Sequence, residues 1–294
     1  MKKWAIWMGL GYLLLTGCEK NIDFNLKEAD PKLVVEATIE NDEAPQVILT
    51  RSTGYFSAIS PDLLANSFVH DAEVTVGNGT LIHRLKEYQV PVGPGINFYY
   101  YSIDSSQLST AFKGALNTRY SLKIVAEGQT YTATTIIPNI TKRIDSLWWK
   151  KTPAAEDSNQ VVVMVRATDP KGYGDYVRYF TKKNREPFYP AFNSVFDDLF
   201  IDGTTYELQV EPGADRNVKR NDDDNFFNRG DTVTFKLSNI DKPTFDFWRT
   251  MEYSYASVGN PFASPVKVLS NINNGALGYF GGYASQYHTL IIPK

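Results

Sequence analysis

Arg119-Tyr-Ser-Leu-Lys-Ile-Val-Ala-Glu-Gly-Gln-Thr-Tyr-Thr-Ala-Thr-Thr-Ile-Ile137 reads as two strands around a tight turn. On the first arm Tyr120, Leu122 and Ile124 alternate with Ser121 and Lys123, and the return arm alternates from Tyr131 to Thr135. A period of two marks a strand with one buried face. Glu127-Gly128 sits between the arms as the turn, so the stretch is a β-hairpin by pattern.

Moving towards the N-terminus, β-branched and aromatic runs recur at Leu33–Ile39, Gln46–Thr50, Glu73–Val76, Thr80–Leu85 and Asn97–Ile103, several of them punctuated by turn residues such as Gly77-Asn78-Gly79. With the hairpin arms this makes seven or so short strands, a spacing that predicts an immunoglobulin-like β-sandwich over 32–140. Cys18 is the sole cysteine, so the disulfide of antibody-type domains is ruled out.

Pro138-Asn139-Ile140-Thr141-Lys142 reads as a boundary. Beyond it, 141–294 is predicted as a second β-rich domain, with strands near Ile144–Lys150, Val161–Ala167, Tyr176–Lys182, Thr204–Val210, Thr232–Leu237 and Gln286–Ile292. One helix is expected near 242–256, entered after Asp241 with Pro243 in its first turn. Phe245, Trp248, Met251, Glu252 and Tyr255 fall at helical spacing and would pack on the sheet. Asn184–Asp202 and Glu211–Gly230 read as long loops. The fold class is therefore mainly β, with a single packed helix.

The first seventeen residues read as an export signal. Lys2 and Lys3 precede twelve uncharged, mainly apolar residues from Trp4 to Leu15, too few for a helix to cross a ~30 Å hydrocarbon core. Leu15-Thr16-Gly17-Cys18 resembles the bacterial lipobox. That resemblance implies cleavage after Gly17 and attachment of acyl chains, such as palmitate, at Cys18. Each buried CH₂ of an anchor contributes about 0.8 kcal/mol. Residues 18–31 would tether the fold to the membrane. Without Lys2 and Lys3 the mature chain carries 28 basic and 33 acidic residues. Such a surface does not suit nucleic acid, which calls for dense positive charge.

Several segments also resemble the lipoproteins of Bacteroidota that carry the domain-of-unknown-function family 4249. They are Cys18-Glu-Lys-Asn-Ile-Asp-Phe24, Pro31-Lys-Leu-Val-Val-Glu-Ala37, Leu49-Thr-Arg-Ser-Thr-Gly-Tyr-Phe56, Tyr131-Thr-Ala-Thr-Thr-Ile-Ile-Pro138 and Asn260-Pro-Phe262, and above all Ser270-Asn-Ile-Asn-Asn-Gly-Ala-Leu-Gly-Tyr-Phe-Gly-Gly-Tyr283. The resemblance implies an outer-membrane lipoprotein, encoded beside TonB-dependent receptors. It leaves open whether the body faces the periplasm or the exterior, and carries no activity with it.

Catalytic signatures are sparse. His70, His83 and His288 are the three histidines, and no Gly-x-Ser-x-Gly elbow accompanies them. No paired cysteines or His-Glu-x-x-His motif marks zinc, and no cofactor motif is present. Asn221-Asp-Asp-Asp-Asn225 is the densest run of oxygen ligands, yet it lacks the spacing of a calcium loop and reads as a solvated acidic loop. Arg229-Gly230-Asp231 reads as a turn before a strand, and Gly275, Gly278, Gly281 and Gly282 as sites of tight turns and close packing around aromatics. The expected ligand-binding residues are Trp148 and Trp149, whose indoles point to opposite faces of a strand, with Tyr279 and Phe280 of the glycine-rich block. These readings favour a non-enzymatic binding or accessory lipoprotein. The alternative is a surface hydrolase of glycan or peptide, which as a retaining glycosidase needs two carboxylates ~5 Å apart.

Overall fold

The hairpin forms as its pattern predicts. β6 (Thr118–Ala126) and β7 (Gln129–Ile137) pair from Thr118↔Ile137 to Ala126↔Gln129. Glu127 and Gly128 turn the chain with φ of 53° and 76°. Two positive φ values in a two-residue loop match the right-handed strand twist. The computed structural model describes residues 30–54, 60–93, 95–151, 159–216, 218, 225–260, 262–264 and 266–294. Outside them lie the leader 1–17 with Gly17, then Cys18 and all of the tether except residues 30–31, and residues 221–224 of the acidic run.

The remaining strands are β1 (Leu33–Glu40), β2 (Gln46–Arg51), β3 (Glu73–Gly77), β4 (Ile82–Gly93), β5 (Ile96–Ile103), β8 (Arg143–Lys151), β9 (Gln160–Thr168), β10 (Tyr176–Lys183), β11 (Tyr189–Phe196), β12 (Thr205–Val210), β13 (Phe227–Asn228), β14 (Thr232–Ile240) and β15 (Leu277–Ile291). Two helices accompany them, α1 (Pro61–Ala65) and α2 (Lys242–Ser257). Eleven strands form one mixed sheet in the order β11-β10-β14-β15-β1-β2-β5-β4-β3-β6-β7. A smaller sheet centres on β9, with β8 along one edge and β12 and β13 along the other. The fold is mainly β and sandwich-like, with one long helix.

β15 binds the two halves of the chain together. Its first half pairs in parallel with β1, from Val34↔Leu277 to Glu40↔Tyr283, and its second half pairs antiparallel with β14. The block read from sequence as glycine-rich turns is therefore mostly strand. Gly278 has φ +93°, and a Cβ there would lie 1.9 Å from the Val35 carbonyl oxygen. Gly282 lies against β7, where a Cβ would meet the Ile136 carbonyl oxygen at 2.4 Å. Gly282 N–H donates to Thr135 Oγ1 at 2.7 Å. Asn271 bridges the same gap, accepting from Phe280 N–H and donating to the carbonyls of Phe280 and Thr134. These contacts curl the large sheet back on itself around a first core that includes Val35, Ile39, Leu122, Ile124, Ile137 and Phe280. A second core fills the space between β10, β14 and the small sheet, with Val163, Val177, Phe235 and Ile292.

On the opposite face of the large sheet lies α2. Asp241 caps it by accepting from Thr244 N–H (3.1 Å), and its other oxygen accepts from Ile136 N–H (3.0 Å) and Thr135 Oγ1 (2.9 Å), tying the helix start to β7. Phe245, Phe247, Tyr279, Tyr283 and Ile240 form the third core, with Trp248 and Met251 against it. The buried face differs from the predicted one at two places. Phe247 is buried because Tyr279 stacks beneath it at 4.4 Å, and Tyr255 is exposed in the last turn. β11 and β13 were not expected, since both lie in stretches read as loops. In β11, Pro190 breaks the ladder of donors, and a bulge between Arg178 and Phe180 shifts its register against β10.

Gly278→Ala should lower unfolding free energy by about 3 kcal/mol or more, because backbone must move to admit the methyl group. Gly79→Ala, at φ +90° but with nothing within 4 Å, should cost only about 1 kcal/mol. Urea melts of the two variants check the difference.

Candidate functional site

The second core is not filled along its whole length. On the small sheet, β9 presents Val163, Val165 and Ala167, paired with Val210, Leu208 and Tyr206 of β12. Opposite stand Val177 and Tyr179 of β10 and Phe235 and Leu237 of β14. The short side chains of β9 cannot reach across a sheet spacing of ~10 Å, the separation that larger residues fill elsewhere. A cleft of about 670 Å³ results, within the ~300–1,000 Å³ usual for small-molecule sites.

Val195 and Phe196 of β11 form one side wall, Phe200 and Ile201 of the following loop extend it, and Phe245 and Arg249 of α2 close one end. Phe200 is 96% exposed, and Phe196 and Leu208 are also exposed. Asn193, Asp197, Gln209 and Glu211 add polar groups to an otherwise apolar lining. Arg249 Nη1 stands 3.4 Å from Asp197 Oδ2, an open pair at the rim that contributes little to stability. Burial, reinforced by the Asp169 charge, pushes the Tyr206 hydroxyl up to about 12, so it enters the cleft as a neutral donor.

A buried polar relay fixes the β11 wall. Glu252 accepts from Ser194 N–H (3.0 Å) and Ser194 Oγ (2.5 Å), and Arg178 Nε donates to the same hydroxyl oxygen at 3.1 Å. The Arg178 guanidinium lies 3.4 Å from the Trp248 ring centre. Paired in this way, the buried charges hold α2 and β11 in one geometry.

The aromatic residues singled out from sequence do not converge on one surface. Tyr279 and Phe280 are adjacent on β15 and buried on opposite faces, Phe280 in the first core and Tyr279 under α2. Burial raises the Tyr279 hydroxyl well above its ordinary range. Trp149 packs on the second core with Arg229 over its ring at 4.9 Å, while Trp148, half-buried, pairs with Met164 on the other face. Opposed indoles were expected at Trp148 and Trp149, and the tight turns expected around Tyr279 and Phe280 are corrected to a buried strand. Arg229-Gly230-Asp231 is a turn, in which Asp231 Oδ2 accepts from Asn228 N–H at 2.8 Å.

None of the histidines lines the cleft. His70 pairs with Glu87 at 2.5 Å and packs edge-on against Tyr99. His83 is buried, with Nε2 accepting from Asp104 N–H (3.0 Å) and Nδ1 beside Thr110 Oγ1 (2.9 Å). That arrangement needs a neutral imidazole, and burial pulls its pKa below the ordinary value, against the opposing charge of Asp104. His288 lies in β15 opposite Phe235. Carboxylates do gather elsewhere. Oxygens of Asp169, Asp175 and Asp198, which follow β9, precede β10 and follow β11, lie within 4.8 Å of one another.

Residues 19–289 match the family described as Domain of unknown function (DUF4249). The chain belongs to that family. No curated protein matches the sequence. The DUF4249 match takes in the cleft and all but the last two residues of β15, the strand that joins the halves of the large sheet. Among the described residues no helix is long and apolar enough to cross a membrane.

His83 supplies a pH test. Its pKa is lower folded than unfolded, so its contribution is complete above an unfolded value of about 6.5 and is lost as pH falls through the folded value. Stability of the wild type should therefore drop more between pH 7.5 and 5 than that of His83→Gln, whose amide oxygen can accept from Asp104 N–H without titrating. Urea midpoints at both pH values measure the difference.

Proposed function

We propose that the chain is a lipid-anchored binding protein whose cleft between β9–β12 and β10–β14 takes up an apolar or aromatic group of its ligand. The observation that carries this reading is the cleft itself, walled by Tyr179, Phe196, Tyr206 and Phe235 and open at a mouth where Phe200 is exposed. Apolar walls supply affinity by releasing water, and the few polar rim groups orient what binds. Attachment at Cys18 after cleavage at Gly17 is supported by the leader and lipobox. An outer-membrane location in Bacteroidota, and a TonB-dependent receptor as partner, are supported by the resemblance of the family's segments. Exposed aromatics beside a formed pocket are the features that serve as anchors in protein interfaces.

The hydrolase alternative draws less support. Asp169, Asp175 and Asp198 are close enough together for carboxylate chemistry, but Asp169 and Asp198 are buried, and Trp148 and Trp149 of β8 are themselves half-buried.

Two measurements test the proposal. Crosslinked purification of the tagged protein from native outer membranes should recover a TonB-dependent receptor, and Cys18→Ser should lose it. An anilinonaphthalene dye should bind the wild type saturably. It should bind Ala167→Phe at least about tenfold more weakly, a change of 1.4 kcal/mol, at an unchanged urea midpoint. Equal dye binding by both proteins would remove the cleft from the proposal.

A further inference from the structure

Away from the cleft floor, three carboxylates gather at the ends of β9, β10 and β11, beside a buried ammonium and a buried amide oxygen without a partner. Asp169 and Asp198 are buried and Asp175 is half-buried. Lys142, at the start of β8, is fully buried, and its Nζ stands 3.2 Å from Asp169 Oδ1. The two form a buried ion pair, and the Gly203 N–H also faces the Asp169 carboxylate. Asn239 donates to Thr141 Oγ1 at 2.7 Å, and Thr141 in turn donates to Asp175 Oδ1 at 2.7 Å. The carbonyl oxygen of Asn239, itself buried, is left without a partner.

Unmet buried polar atoms are costly, and buried net charge more so. Asp198 is the best satisfied of the three, accepting from Gly174 N–H (2.8 Å) and Asp175 N–H (3.0 Å). Three carboxylates against one ammonium leave two negative charges in a site from which water is largely excluded.

We propose that Asp169, Asp175 and Asp198 bind one hard divalent cation of the Ca²⁺ class, with the Asn239 carbonyl oxygen as a neutral neighbour. Carboxylate oxygens within 4.8 Å of one another suit Ca–O distances of roughly 2.3–2.6 Å to a shared ion. Two positive charges balance the formal charge of three carboxylates and one ammonium, which one monovalent ion does not. Lys142 tunes the site to a divalent ion by cancelling one carboxylate. The location gives the ion a consequence. Asp198 roots the loop that carries Phe200 and Ile201, and the same loop ties to the β9–β10 turn where Asp202 accepts from Gly172 N–H. A cation would lock that loop, and with it one wall of the cleft. The binding site itself does not depend on what the cleft takes up.

The test is calorimetric titration of CaCl₂ and MgCl₂ into chelator-treated full-length protein, paired with thermal melts. Saturable uptake of one ion and a raised melting temperature are expected. Asp175→Asn, which keeps the oxygen that Thr141 bonds, should weaken uptake roughly tenfold or more while remaining folded. Lys142→Met should bind more tightly than the wild type, by a similar factor of about ten, because it removes a like charge from beside the ion. If the buried ammonium is instead the complete counter-ion, neither protein takes up either metal at millimolar concentration and Lys142→Met melts lower with or without metal. That outcome overturns the proposal. Unchanged affinity in Asp175→Asn would overturn it equally, by placing any bound ion elsewhere.

Discussion

The architecture depends on one strand being shared by two halves of the chain. β15 contributes Phe280 and Ala284 to the first core and Tyr279 and Tyr283 to the third, and it pairs with the earliest strand on one side and β14 on the other. Such sharing demands that neighbouring backbone approach β15 closely where Gly278 and Gly282 stand, and any side chain there would push β1 or β7 away. The glycines are thus a packing requirement of the sheet, and the curl of β7 over β15 follows from it. The helix position follows as well, since Asp241 both caps α2 and accepts from β7.

Much of this was legible in the sequence where periodicity is local. The hairpin at Glu127-Gly128 and the helix entry at Asp241 announce themselves, because alternation and capping residues act within a few positions of one another. β11 was hidden by Pro190 and by a bulge, and it packs on α2 through Ser194, a residue with no apolar signature. The glycine-rich block misled for a related reason. Glycine is read as a turn signal, yet here it marks close approach between strands far apart in sequence.

The site was less legible than the fold. Each wall of the cleft comes from a different strand, and the property that makes it a cleft is the shortness of Val165 and Ala167 opposite Tyr179 and Phe235. No spacing rule exposes a mismatch of that kind. The carboxylate cluster is scattered too, since Asp169 and Asp175 of the β9–β10 loop meet Asp198 only once the loop after β11 is in place. The contiguous acidic run at 221–225 drew the eye because its residues are neighbours in sequence. Tyr279 and Phe280 were conspicuous because of the company they keep, and that company places them in separate cores.

The parallel pairing of β1 with β15 also sets the order in which the molecule can be completed. Among the described strands the first to leave the ribosome is β1, and its partner is the last. Contacts of such sequence separation close large loops and slow folding. Until β15 arrives, the β15-facing edge of β1 offers unpaired backbone groups to any passing strand, the exposure through which partly made β-proteins aggregate. A nascent chain of this topology therefore stands to gain from a holdase that shields the early strands, and a truncation of a few residues at its end would be felt in the second core, which holds Ile292.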